Sequence, residues 1–260
     1  MVDVLRTSEF YTREGEYVDS VDATWEEDGF KATVDSECQI LPRVLGEATG
    51  RSVLDCTCGR GPQALALARL GWQVTATDLT PASVEVARHR ADQENAQIAF
   101  EVCDLRDLAR RFQPTFDWVI SCMALDNIPD EGGLIQALQG MLAVLKPGGG
   151  CYIRLRNMDQ IVEDRPRYEV KEERAVPFGR AIRLDDWEYP GGDQVIHICV
   201  YLREDSRHPE YWDSAYFAYR RRALRKADLE RLLRLTGFTQ IEFLPVPHRW
   251  HPYEVVARKL

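Results

Sequence analysis

The sequence predicts an α/β domain with a doubly wound, mostly parallel sheet of seven strands, an antiparallel β insertion and an N-terminal helical lid. Short apolar strands alternate with amphipathic helices from about residue 51 to 155, which is typical of a parallel sheet covered on both faces. Helical periodicity is lost between 157 and 222, where charged and aromatic residues dominate. A helix and two strand-like runs follow, which would return the chain to the first sheet.

The elements of the first stretch follow one another with short connections. We predict strand 51–55, helix 62–70, strand 72–77, helix 81–93, strand 97–102, strand 116–121, helix 131–145 and strand 149–155. Gly71 suits a left-handed cap at the end of the first helix. Thr80, followed by Pro81, suits the N-cap of the second helix. Both helices therefore have defined ends.

The remaining elements define three parts of the chain. We predict a strand at 195–202, a helix at 226–236, and strands at 240–244 and 254–257. Residues near the N-terminus are acidic and aromatic and have helical propensity, so we interpret them as a lid. The predicted parts are a lid at 1–35, a main domain at 36–156 and 223–260, and a β insertion at 157–222.

Charge and composition limit the classes of partner. The 33 Lys and Arg residues stand against 42 Asp and Glu residues, and the net charge of −9 disfavours nucleic acid and anionic lipid as partners. A small molecule is favoured, and a homo-oligomer stays open. Apolar runs fall short of the roughly 18 residues of a membrane helix, and the first residues do not resemble a signal peptide, so we expect a soluble, cytoplasmic protein.

The seven cysteines are scattered, mostly within apolar strand-like runs, which favours reduced thiols over a disulfide framework. Cys56 and Cys58 form a C-x-C pair, but a second pair or a nearby histidine is needed to complete a zinc site. We therefore predict no metal and interpret both cysteines as loop packing. The histidines, including His197 within a predicted strand, are interpreted as structural or surface residues.

A glycine-containing turn follows the first strand of the predicted sheet. Asp55 ends that strand, Gly59 and Gly61 follow, and Pro62 begins a helix. Glycine allows the main chain to come close to a ligand, whose polar groups can meet the free N–H groups at the start of the helix. Asp78 ends the second strand, where a carboxylate can bind the two hydroxyls of a ribose. The pattern predicts a nucleoside ligand.

Two cofactors fit a nucleoside site of this kind. Residues 59–64 satisfy G-x-G-x-x-A, which keeps a dinucleotide and an NAD-dependent oxidoreductase open. Asp55, Asp78 and Asp104 follow three successive strands, and this set suits a ligand with an ammonium, a ribose and an adenine amino group. Asp55 would repel paired phosphates. The acids therefore favour S-adenosylmethionine.

Five motifs occur in the order LDCTCGRG, TATDLT, CDLRDL, FDWVISCMALDNI and LKPGGGCYIRL. This order resembles that of the class I S-adenosylmethionine-dependent methyltransferases. The resemblance implies a Rossmann-like fold in which Asp55, Thr57, Gly59 and Gly61 lie against the methionine part, Asp78 and Leu79 hold the ribose, Asp104 and Leu105 hold the adenine, and Cys122 and Met123 form the pocket floor. Thr57 is a departure, because the family usually has its first glycine there.

Within this family the chain is most similar to the glycine and sarcosine N-methyltransferases, through DCTCGRG, IRLRNMDQIV and YFAYRRRALRKADLERLL. This likeness implies that Arg156 holds the carboxylate of the acceptor. The alternative is an ordinary salt bridge. The chain has Met123, Ala124 and Asn127 where the group has an N-S-x-x-H segment, so we predict a larger amine, amino acid or specialised-metabolite intermediate. The other predicted acceptor contacts are Tyr11, Trp25, Asn127 and Tyr219.

The predicted reaction is an in-line methyl transfer in which the protein mainly aligns donor and acceptor. Asp126 and Arg156 are the predicted catalytic residues, with Asp126 orienting or deprotonating the acceptor or, alternatively, serving as a cap. An O-methyltransferase and a non-catalytic cofactor-binding subunit stay open. A macromolecular acceptor is disfavoured by charge, and we interpret the basic cluster at 220–226 as a solvated helix start.

Overall fold

The computed structural model describes residues 4–21, 25–176, 179–204, 208, 211–245, 247–248 and 251–260, without the side chains of residues 8, 18–21 and 25–28. The side chain of Trp25, one of the predicted acceptor contacts, lies outside this description. None of the described helices combines the length and apolar character needed to cross a membrane.

Twelve strands and eight helices are present in the described parts of the chain. The strands are β1 (Val4–Leu5), β2 (Ser52–Asp55), β3 (Gln73–Asp78), β4 (Ile98–Val102), β5 (Phe116–Cys122), β6 (Leu145–Leu155), β7 (Tyr168–Val176), β8 (Gly179–Gly191), β9 (Gln194–Glu204), β10 (Trp212–Arg222), β11 (Thr239–Phe243) and β12 (Tyr253–Arg258). The helices are α1 (Thr7–Val21), α2 (Trp25–Leu45), α3 (Pro62–Arg69), α4 (Pro81–Gln93), α5 (Leu108–Arg111), α6 (Glu131–Val144), α7 (Met158–Asp164) and α8 (Lys226–Thr236).

The main sheet has seven strands in the order β11-β12-β6-β5-β2-β3-β4. The pairs β2–β3, β2–β5, β3–β4 and β5–β6 are parallel, whereas β12 is antiparallel to both of its neighbours. The chain leaves β2 towards β3 on one side and reaches β5 on the other, so the carboxyl ends of β2 and β5 flank the crevice where doubly wound sheets bind ligands. The predicted seven-stranded, doubly wound sheet is confirmed.

The main sheet is buried on both faces. Successive residues of β2 point in opposite directions, with Val53 in one apolar core and Leu54 in the other. Helices α2 and α3 cover the first core, and Val34 of α2 is fully buried there. Helices α6 and α8 cover the second core. Because α2 runs from 25 to 45, the predicted boundary between lid and main domain at residue 35 falls within a single helix.

The second sheet contains five strands in the order β1-β10-β9-β8-β7. All of its pairs are antiparallel except the short β1–β10 pair, which confirms the antiparallel insertion and the predicted strand at 195–202. Helix α1 packs on this sheet through Phe10, whose ring centroid lies 3.8 Å from that of Tyr219. Tyr201 on β9 donates a hydrogen bond to Glu14 of the same helix.

The predicted helices and strands occur within four residues of their expected limits, and the differences are local. Gly71 has the expected left-handed backbone, with φ +86°. Thr80 occupies the N-cap position of α4, but its side chain makes no capping hydrogen bond. The sequence interpretation missed α7, whose start is capped by the Asn157 side chain accepting from the Gln160 N–H. Strand β6 begins at Leu145, directly after α6, rather than at residue 149.

Candidate functional site

A cavity of about 870 Å³ lies at the carboxyl ends of the parallel strands. The loops after β2, β3, β4 and β5 form one end of its wall. Residues 4–7 and Tyr11 of the N-terminal segment, together with Arg156 after β6 and Arg220 of β10, form the other end. Most of the predicted cofactor and acceptor residues therefore line one continuous space. Asp55, Gly61, Asp126 and Tyr219 do not form part of its wall.

Asp55 lies at the end of β2 and is almost fully buried, with 1% of its surface exposed. Its Oδ1 accepts a hydrogen bond from the Thr57 N–H at 3.3 Å, whereas its Oδ2 has no hydrogen-bond partner among the described residues. Burial raises the pKa of Asp55 to about 8, and the neighbouring carboxylates of Asp78 and Glu37 add to the shift. A buried carboxylate with one unused oxygen is suited to an ammonium group.

The turn after β2 leaves room for a ligand at Gly59. This residue has a left-handed backbone, with φ +51°, and a Cβ placed there would meet only open space. The Gly59 N–H donates to Oδ2 of Asp78 at 2.9 Å, and the Thr80 N–H donates to Oδ1 at the same distance. Asp78 thereby joins the loop after β2 to the loop after β3. Its oxygens keep lone pairs that can accept from ribose hydroxyls.

Two other residues of the turn stabilise the structure, and one of them, Thr57, also lines the cavity, as predicted for a cofactor contact. Thr57 donates to the Ser121 hydroxyl at 3.2 Å and accepts from the Cys122 N–H at 3.1 Å, so this departure from the family pattern ties the turn to the end of β5. Gly61 does not lie on the cavity wall, although it was predicted to contact the cofactor. A Cβ at Gly61 would be 2.9 Å from the Ala87 Cβ, so this glycine allows α3 to approach α4.

The loop after β4 forms the side of the cavity predicted to hold adenine. Asp104, Leu105 and Arg106 line it there, and the exposed Leu79 does so after β3. Asp104 accepts hydrogen bonds from the Arg106 side chain and N–H. Burial alone would raise the pKa of Asp104, but these hydrogen bonds outweigh it and lower the pKa. Cys122 and Met123 also line the cavity, as predicted for its floor.

Asp126 is fully buried in the single turn Leu125–Asn127 and does not line the cavity. Its Oδ2 accepts from Arg156 at 3.2 Å and from Arg221 at 3.0 Å, while its Oδ1 has no hydrogen-bond partner in the described parts of the chain. Arg156 does line the cavity and also donates to the Met123 carbonyl at 3.3 Å. The predicted catalytic pair is thus brought together, with Arg156 in front and Asp126 behind it.

The N-terminal segment lines the end of the cavity that is predicted to bind the acceptor. Asn127 lines the cavity and donates through Nδ2 to the Tyr11 hydroxyl at 3.2 Å, and Thr7 donates to the Asn127 carbonyl at 3.3 Å. Burial raises the pKa of Tyr11, and the positive charges of Arg221 and Arg156 oppose that rise. Tyr219 lies behind Tyr11, with ring centroids 6.0 Å apart, rather than on the cavity wall.

The interpretation of residues 220–226 as a solvated helix start was wrong for its first three residues. Arg220, Arg221 and Arg222 belong to β10, and Arg221 is almost fully buried, with 1% of its surface exposed. Arg221 follows Tyr219 by two residues and therefore lies on the same face of the strand. The sequence signal that could have indicated the burial of Arg221 is its two-residue spacing from an aromatic residue in a strand-like run.

Residues 53–149 match a protein family described as a methyltransferase domain. The ubiquinone biosynthesis O-methyltransferase of Xanthomonas euvesicatoria pv. vesicatoria (strain 85-10) is 38% identical over 111 residues, which is 43% of this chain and 45% of that protein. The chain thus matches less than half the length of this curated relative.

Solved structures cover much more of the chain. DesVI of Streptomyces venezuelae has a TM-score of 0.72 and 16% identity, over 94% of this chain and 98% of that one. The amino pentose methyltransferase CalS10 of Micromonospora echinaspora, solved with S-adenosylmethionine, has a TM-score of 0.68 and 15% identity over both entire chains. These similarities confirm the predicted Rossmann-like fold of the class I S-adenosylmethionine-dependent methyltransferases.

Proposed function

We propose that this protein binds S-adenosylmethionine and transfers its methyl group to a small molecule that bears an acid group, with an amine nitrogen as the acceptor atom. The observation that carries the proposal is the single cavity that joins the turn at Gly59 and Asp78 to Arg156. A nucleoside-binding end and an acid-binding end that share one space allow donor and acceptor to be aligned for direct transfer. The likeness to glycine and sarcosine N-methyltransferases supports the same reaction class.

The residues at the cofactor end fit S-adenosylmethionine. The unused oxygen of Asp55 would pair with the ammonium of the methionine part, and the open space at Gly59 would admit the main part of the ligand. Asp78 and Leu79 would hold the ribose, and Asp104 with Leu105 would hold the adenine. When bound, the cofactor supplies an electrophilic methyl group on a sulfonium. The protein's part is to orient the two reactants and to exclude water.

The charges at the acceptor end favour an acid group. The single carboxylate of Asp126 is shared by two guanidinium groups, those of Arg156 and Arg221. This arrangement leaves a local excess of one positive charge. Arg156 faces the cavity, so a carboxylate on the acceptor would balance that charge and could accept two parallel hydrogen bonds. We assign Asp126 to positioning Arg156 rather than to proton abstraction, because it lies behind Arg156.

The ionisable groups at the acceptor end favour nitrogen over oxygen. Because burial raises the pKa of Tyr11, its phenol remains protonated at neutral pH and presents a hydrogen-bond donor rather than a base. An amine that arrives uncharged carries its own lone pair, whereas a phenol must lose a proton. An O-methyltransferase is the second candidate, because the curated relative is named as one. The segment that bears Tyr11 would act as the lid.

The test is a screen that follows formation of S-adenosylhomocysteine. The panel compares 3-aminobenzoate with its neutral analogue 3-aminobenzamide and with the phenol 3-hydroxybenzoate, and includes glycine and sarcosine. We expect 3-aminobenzoate to be methylated in preference to glycine and sarcosine, because the predicted acceptor is larger, and the amide to react at least tenfold more slowly than 3-aminobenzoate. Preference for 3-hydroxybenzoate would favour the O-methyltransferase. Binding of S-adenosylmethionine without turnover would favour a non-catalytic subunit, and uptake of NAD instead would overturn the proposal.

A further inference from the structure

We infer that Arg221, a buried arginine of the insertion sheet, is a positioning residue that leaves the charge of Arg156 available to the acid group of the acceptor. This inference rests on the proposed function and adds a specificity device to it. Arg221 lies behind the cavity wall, so it would act through Asp126 and Arg156 rather than by touching the acceptor.

A buried guanidinium must be paired on every side to be tolerated. Arg221 donates to Oδ2 of Asp126 at 3.0 Å and makes a further short hydrogen bond to Oδ1 of Asn127. Its Nε–H donates to Nδ1 of His197 at 3.3 Å, and its guanidinium lies 4.3 Å from the centre of the Tyr219 ring. These contacts fix Arg221 between the insertion sheet and the acceptor end of the cavity.

His197 orients Arg221 because it is held in one neutral form. Its Nε2 lies 3.1 Å from Oδ2 of Asp185, and its ring stacks on Trp187 with 4.1 Å between centroids. Burial lowers the pKa of His197 to about 4, with Arg221 adding to the shift and Asp185 opposing it. With Nε2–H donating to Asp185, Nδ1 carries the lone pair and accepts from Arg221; the Tyr219 hydroxyl, 3.2 Å away, also points a donor at this atom.

The same hydrogen bonds argue against a metal ion in this cluster. Asp185, His197 and Cys199 place three potential ligand atoms within 4.8 Å of one another. A metal on Nε2 of His197 would require the proton on Nδ1, where it would face the N–H of Arg221. The arrangement therefore favours a hydrogen-bonded support for Arg221.

The charge balance explains what Arg221 contributes. With Arg221 present, Asp126 divides its charge between two guanidinium groups. Without Arg221, Asp126 would pair with Arg156 alone and neutralise it, so an acid group in the cavity would lose its attraction. Removing the charge of Asp126 as well should free Arg156 again. This reversal separates a charge-positioning role from a merely structural one.

The experiment measures binding of 3-aminobenzoate and 3-aminobenzamide to the protein saturated with S-adenosylhomocysteine, by calorimetry. We expect Arg221→Met to weaken 3-aminobenzoate about tenfold and the amide little. The double variant Arg221→Met/Asp126→Asn should bring 3-aminobenzoate back to within about threefold of wild type. Arg221→Lys, which keeps the cation but not the guanidinium geometry, should fall between wild type and Arg221→Met. Arg222→Met is the matched control, because Arg222 pairs with Glu131 and Asp193 instead.

Each result decides the inference. Unchanged binding in Arg221→Met, or no recovery in the double variant, would overturn it while the proposed function stands. If wild type bound 3-aminobenzoate and 3-aminobenzamide equally well, both the inference and the proposal of an acid-bearing acceptor would be overturned. The affinity for S-adenosylhomocysteine would still test the cofactor end of the cavity separately. Failure of the wild-type protein to bind S-adenosylhomocysteine would overturn the proposed function itself. An unchanged S-adenosylhomocysteine affinity in the variants verifies that their fold is intact.

Discussion

Binding of the cofactor should release a proton from Asp55. The pKa of this buried carboxyl is raised to about 8, so at pH 6.5 it is about 97% protonated in the free protein. An α-amino group with a pKa near 7.7–8.0 is still mostly an ammonium at that pH. Pairing the two requires the ionised carboxylate, so binding should release about one proton.

The same shift sets the cost of ionising Asp55. At pH 6.5 the carboxyl lies about 1.5 units below its pKa, which corresponds to about 2 kcal/mol of lost binding free energy. Between pH 6.5 and pH 5.5 the Kd of S-adenosylhomocysteine should therefore rise about tenfold. Asp55→Asn cannot release this proton, so its Kd should change little over the same interval.

Titration calorimetry at pH 6.5 in two buffers of different ionisation enthalpy measures the released proton directly. We expect about one proton for wild type and about none for Asp55→Asn. Tight binding by wild type without proton release would refute the reasoning, because the ligand would then tolerate a neutral Asp55. A Kd that is flat between pH 5.5 and 6.5 would refute it independently.

Three further predictions concern the turn after β2 and Asp78, which is hydrogen-bonded to it. In the ligand-free protein the raised pKa of Asp55 makes its ionisation destabilising as the pH rises from about 4 to 8. The unfolding free energy of Asp55→Asn, measured with urea, should therefore increase relative to that of wild type by up to about 1.4 kcal/mol per pH unit. A difference that does not change with pH would contradict this. Gly61→Ala should lower the unfolding free energy by about 1–3 kcal/mol, because its Cβ would overlap Ala87 at a residue with φ +94°. Gly59→Ala is the control, because Gly59 also has a positive φ but a Cβ there would meet open space. Equal stability of Gly61→Ala and wild type would argue against this packing. Asp78→Ala should weaken S-adenosylhomocysteine about 10- to 100-fold in calorimetry through loss of hydrogen bonds to a charged group, and an unchanged Kd would remove Asp78 from the ribose site.

The fold was predictable from sequence because its elements have strong local signals. Short, mainly apolar strands alternated with helices whose ends were marked by capping residues. The helix α7 was missed because it is short and lies among charged residues, although Asn157 marks its start. The N-cap of α4 was placed correctly at Thr80, but the loop hydrogen bonds are made by Asp78, which depends on how two loops meet in space.

The site was only partly predictable, because sequence position gives the order of residues and not their depth. Asp55 and Asp78 were expected at strand ends, and they lie there. Gly61 belonged to the same motif, yet it packs against Ala87 of the following helix, α4, instead of lining the cavity. Arg221 stood within a basic cluster that local composition assigns to solvent. Arg221 is buried because the insertion sheet packs against the turn that contains Asp126, almost a hundred positions earlier in the chain. Local sequence patterns do not reveal such a contact.

Helix α1 contacts the insertion sheet through Phe10 and Glu14 and reaches the cavity through Tyr11. Helix α1 and the insertion sheet therefore pack as one structural unit, although they lie some two hundred positions apart in the chain. An experiment that transplants the insertion of a homologue into this chain should also transplant the first helix of that homologue. Otherwise the foreign strands would meet an ill-fitting helix, and acceptor scope would be lost rather than exchanged.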